Sequence, residues 1–148
     1  MPFHFPWQAV LHLRQGVERQ QELRLLAANQ QVAQVRQNLE KLNQQIEQAR
    51  SQRSQELGTG TTGSELRFEL LCDSAVLVRR AALESDLMRV QKLRDEQQRI
   101  FRHARRQRET LEGLRDLQHH QYEREAMRRQ QRVLDDLFLL RVSRLRRG

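Results

Sequence analysis

From Leu25 the apolar residues fall at Ala28, Val32, Val35, Leu39, Leu42, Ile46 and Ala49, in alternating steps of three and four. A 3.5-residue period places every one of these side chains along one seam of an α-helix and suits a partner helix packed against it. Val10, Leu13 and Val17 keep the rhythm upstream. They join the main frame through Val17, Gln21 and Leu25, two four-residue steps that read as a stutter in a continuing helix. Pro6 suits the first turn of a helix, where a missing N–H costs nothing. The pattern predicts a first helix over about 6–57.

Gly58, Gly60 and Gly63 interleave with Thr59, Thr61 and Thr62 to end that helix, and Ser64 is placed to cap the next. The turn is therefore expected at 58–63. A second helix follows over about 64–146, its stripe running through Leu66, Leu70, Leu77, Leu83, Leu87, Val90, Leu93, Ile100, Ala104, Leu111 and Leu114. Gln97 and Gln107 fall on or near this stripe and weaken it. Gly113 is the cheapest place for a bend, at about 1 kcal/mol against alanine. A short link between long helices makes them antiparallel neighbours. The fold predicted is all-α: a long antiparallel two-helix coiled-coil hairpin, single over 1–148, with the second helix longer than the first. Matching positions about the turn leaves residues after Leu114 without a partner, although Leu134, Leu137, Phe138, Leu140, Val142 and Leu145 lie there.

Composition fits this picture. The chain has 148 residues, 37% hydrophobic and 31% charged, with a mean hydropathy of -0.86, too little apolar surface for a thick core but enough for a two-helix seam. Proline occurs only at Pro2 and Pro6, so nothing later forbids long helices. A single cysteine, Cys72, excludes an internal disulfide framework and fits a reducing compartment. No stretch approaches a membrane span or a secretory signal, so a cytosolic protein is expected. The net charge of +8 is uneven: residues 102–148 hold thirteen Arg against seven acids.

Candidate chemistry is sparse. Gly58 to Gly63 matches G-x-G-x-x-G by letter, but a dinucleotide site needs a strand before the glycines, and a helix precedes them here. His4, His12, His103, His119 and His120 offer no pair at ligand spacing, and Cys72 has no second thiol with which to share a metal. A two-helix hairpin also lacks a pocket to hold a nucleophile beside its base. No enzyme, cofactor or metal is expected. The arginines alternate with acids, as in Arg106-Gln107-Arg108-Glu109, which suits a solvated helix face better than a phosphate-tracking block. Nucleic acid is not an expected partner.

Spaced residues at both ends resemble the FliJ family, stalk-like factors of the bacterial flagellar type III export apparatus. At the front these are Phe3, Phe5, Pro6, Val10, Leu11, Leu13, Arg14 and Glu18. Toward the back they are Leu111-Glu112, Leu114-Arg115, Tyr122-Glu123, Glu125, Arg128, Gln131 and Leu134-Asp135-Asp136, where many members carry Asp-Glu at the last pair. The resemblance implies a non-enzymatic stalk whose terminal end enters the hexameric ring of the flagellar export ATPase through Phe5, Val10, Leu13, Arg14, Leu134, Asp135, Asp136 and Phe138. It further implies contact with the cytoplasmic domain of the export-gate membrane protein, here corresponding to Phe68, Leu71, Cys72 and Val76. Binding of export chaperones and only peripheral association with the inner membrane face are implied as well. The alternatives are the equivalent stalk of a virulence secretion system, or a basic coiled-coil scaffold or nucleic-acid binder.

Overall fold

The computed structural model describes residues 2–60 and 62–147, and Met1, Thr61 and Gly148 of the expected hairpin lie outside them. Two helices account for almost all of it, α1 over Gln8–Leu57 and α2 over Gly63–Arg147, with no strand among the described residues. At 85 residues against 50, α2 is the longer, and it runs through Gly113 without a break.

Helix boundaries differ slightly from expectation. Pro6 and Trp7 form a turn rather than a first helical turn, because the Phe5 carbonyl accepts from Gln8 and the first helical bond runs from Leu11 N to Trp7 O. At the other end, Gly60 takes a φ of 86°, a left-handed conformation that glycine adopts at no steric cost. Thr62, not Ser64, caps α2. Its hydroxyl accepts from Glu65 N at 3.4 Å, and its own N–H donates to the Glu65 carboxylate at 3.5 Å. The Thr-x-x-Glu spacing thus satisfies donors at both ends of one helical turn.

The chain divides into two compact units, Met1–Glu18 with His103–Gly148, and Arg19–Arg102. The second unit pairs the rest of α1 with the first part of α2. Arg53 meets Glu69 and Asp73, whereas Gln21 meets Gln97, so positions rising along one helix meet positions falling along the other. Val32, Leu42 and Val90 are its buried apolar residues. Leu25, Ala28, Val35, Leu39, Ile46, Leu83 and Leu87 are half-buried beside them, as the periodicity requires.

Elsewhere the α2 stripe differs from the one read in the sequence. Leu66, Leu70, Leu77, Leu93, Ile100 and Leu114 are exposed. The less exposed positions instead run Asp73, Val76, Arg80, Leu83, Leu87, Val90, Arg94, Gln97, Phe101, Ala104, Arg108, Leu111, Arg115, Gln118 and Tyr122, in unbroken steps of three and four. A heptad frame is set by what the partner helix can accommodate. Long arginine stems cover apolar neighbours while their heads stay wet, so arginine is tolerated at seam positions and leucine is displaced to the flanks.

In the first unit, Leu11 is fully enclosed and Phe5 and Ala104 are buried. The seam on α1 here is Leu11, Arg14 and Glu18, continuing to Gln21 and Leu25 without a stutter, while Leu13 stands 65% exposed. Pairing also extends beyond Leu114, correcting the expected limit. The Phe3 ring meets His119 edge-on at 4.9 Å and lies 5.7 Å from Tyr122.

Candidate functional site

The first unit holds the densest polar cluster. Arg108 donates to both oxygens of Glu18, at 3.2 Å through Nη2, and through Nη1 to Glu112 at 2.6 Å. Gln15 reaches the other Glu112 oxygen at 3.5 Å, and Arg14 donates to Gln107 at 2.7 Å. The Arg108 and Glu18 side chains are 20% and 18% exposed. The Glu18 hydrogen bond, with help from Glu112, holds the Arg108 guanidinium protonated well above its ordinary range, against the opposing cost of burial. The cluster lies along the seam, where Arg108 pairs with Glu18 and Glu112 and Arg14 is held by the neutral Gln107 amide. Its chemistry is alignment of two helices.

A second ion-pair group sits near the turn, in the other unit. Arg53 binds Asp73 with two nitrogens and Glu69 with a third, at 3.1 Å. The Arg53 hydrogen bond holds the Asp73 carboxyl below its usual value, while burial pushes the other way.

The residues expected to meet an ATPase ring all fall in the first unit, in two groups. Phe5 is buried and Arg14 is turned to Gln107, leaving Leu13 open and Val10 half-exposed. Leu134, Asp135, Asp136 and Phe138 are exposed on α2, with Asp135 accepting from Gln131. Phe3 packs at His119, and Leu134 is fifteen residues further along α2, about 22 Å at 1.5 Å per residue. No hydrogen bond, ion pair or ring contact among the described residues joins the groups.

The residues expected at an export gate lie in the second unit. Phe68, Leu71 and Cys72 are exposed, at the i, i+3 and i+4 spacing that puts them on one helix face. Val76 is half-buried in the seam frame. Sequence reasoning missed the exposed Val78 near this face, and it assigned to the seam the exposed Leu70, which lies on the opposite flank of α2. The neighbouring charges gave no warning, because Asp73 looks like a flanking residue until its partner Arg53 on α1 is seen.

Every residue of α2 from Met127 to Arg141 is exposed, including Leu137, Phe138, Leu139 and Leu140 in succession. Among the described residues no three His, Cys, Asp or Glu side chains group to hold a metal, and no helix is long and apolar enough to cross a membrane.

The sequence profile described as "Flagellar FliJ protein" matches residues 3–147. The chain belongs to the FliJ family. No curated protein and no solved structure is similar enough to count as a match. The FliJ match spans both units and includes the N-terminal Phe3, the polar cluster around Arg108 and the open apolar run of α2.

Proposed function

We propose that this chain is a non-enzymatic stalk of the bacterial flagellar type III protein export apparatus, built as one coiled-coil hairpin over 1–148. It binds the export ATPase hexamer and couples it to the cytoplasmic domain of the export-gate protein and to export chaperones. The match to the FliJ family over residues 3–147 carries this reading. The exposed surfaces support it. A lone helix gains nothing by holding Leu137 to Leu140 in water, and contiguous exposed apolar surface of this kind belongs against another protein.

In this reading Leu13, Val10, Leu134, Asp135, Asp136 and Phe138 supply the ATPase contact. Phe5 and Arg14, turned inward, hold the N-terminal segment on α2. Phe68, Leu71 and Cys72 supply the gate contact, with Val76 anchoring that face. The stalk works in the cytoplasm, peripheral to the inner membrane.

The test is to add the full chain to its purified export ATPase. Co-elution with the hexamer and a rise in ATP turnover are expected. The absence of both binding and any change in turnover would remove the reading.

A further inference from the structure

The open end of α2 carries two heptad stripes, not one. Ala126, Val133, Leu137, Leu140 and Arg144 form the first, in steps that keep the three-and-four rhythm with Gln130 filling its gap. Met127, Leu134, Phe138, Arg141 and Leu145 form the second, with Gln131 in the matching gap. The stripes are offset by one residue, so they lie about 100° apart on the helix over about 30 Å. One partner helix covers one such seam, and two adjacent seams call for two helices. Apart from the half-buried Ala126, every residue of both stripes is exposed. On the face turned away from the first stripe, Arg124, Arg128 and Arg132 form a row at four-residue spacing, with Arg146 beside them, while Arg141 and Arg144 lie on the stripes themselves.

Charge identifies the occupant. Residues 124–147 hold eight arginines against Glu125, Asp135 and Asp136. Among the described residues, the one ion pair in this stretch is Arg129 with Glu125. A second copy of this arm would bring like charges together, whereas a helix pair with acidic flanks would neutralise them.

We propose that the arm over 126–145 packs as the third helix against a partner that presents two adjacent helices with acidic flanks. This deepens the stalk reading, since the same arm is its ATPase contact, and it specifies the build of the surface that receives it.

The test uses the full chain and a designed helical hairpin with leucine at its seams and glutamate on its flanks, alongside a twin flanked by lysine. The glutamate hairpin is expected to bind and the lysine twin not to. Val133→Gln/Leu137→Gln on one stripe and Leu134→Gln/Phe138→Gln on the other should each weaken binding by about a hundredfold, with helicity by circular dichroism unchanged. Loss from only one pair of substitutions, or equal binding of both hairpins, would overturn the two-seam proposal. So would concentration-dependent self-association in sedimentation, or binding to phosphatidylglycerol vesicles without binding to the hairpin. Turnover of the export ATPase is measured separately. If it still rises when the hairpin fails, this inference falls and the stalk reading stands.

Discussion

Replacing Arg108 with methionine leaves Glu18 and Glu112 beside one another without the cation that both now share. The side chains are largely enclosed, at 20%, 18% and 29% exposure for Arg108, Glu18 and Glu112. The cost therefore lies between that of an exposed pair, about 0–1 kcal/mol, and that of a broken buried pair, about 3–5 kcal/mol. About 2 kcal/mol is expected. With a urea dependence of roughly 2 kcal/mol per molar, the unfolding midpoint followed by circular dichroism falls by about 1 M. Glu18→Leu/Arg108→Leu removes both charges and fills the seam, so it should lie within about 1 kcal/mol of wild type. The single substitutions then fail to add, as expected for groups in direct contact. Arg99→Met is the control, since Arg99 pairs with Glu96 from a side chain 77% exposed and should shift the midpoint negligibly. The reasoning is refuted if Arg108→Met costs no more than Arg99→Met, or if the double variant is as damaged as the worse single one.

Leu11→Ala should destabilise by about 2–4 kcal/mol because its side chain is wholly enclosed, whereas Leu13→Ala should stay within about 0.5 kcal/mol; the reverse order in thermal melts would restore the seam frame that the apolar letters suggest. The Asp73 carboxyl is held below its unfolded value by Arg53. Its contribution is thus fully present above the ordinary carboxylate pKa near about 4 and lost as pH falls through the depressed folded value. Hydrogen-exchange protection around 50–76, corrected for the intrinsic pH dependence, should fall only in that acid range, and in Asp73→Asn it should already be lower at neutral pH; loss of protection beginning well above about pH 5 would contradict the assignment. Leu137→Gln, fully outside the seam, should leave the melting temperature of the free chain almost unchanged, and a large drop would show that the arm is packed on its own chain.

The helical class and the centre of α1 were legible because apolar letters and heptad positions coincide there. Val32 and Leu42 are buried as their spacing demands. Legibility failed where the seam turns polar. At Arg14, Glu18 and Gln21 no apolar letter marks the frame, and Val10, Leu13 and Val17, one residue off, captured it. Only the partners reveal the true register: Gln107 for Arg14, Arg108 for Glu18, Gln97 for Gln21. The same substitution of arginine for leucine at Arg80, Arg94 and Arg108 hid the α2 frame. Gln97 and Gln107 read as weak points, yet both pair across the helices, Gln97 at 2.7 Å to the Gln21 side chain. For the site, exposed leucines at 134–140 were readable as an unpartnered surface, whereas the burial of Phe5 follows from the turn at Pro6 and Trp7, which no periodicity encodes.

The most direct test of the stalk account places a photoreactive amino acid at Phe138 of the full chain, and in parallel at Glu40, an exposed residue of α1. After irradiation with the export ATPase, the account predicts a crosslink to the ATPase from position 138 and none from position 40. Crosslinking from position 40 alone, or from neither position while the two proteins co-elute, would contradict it.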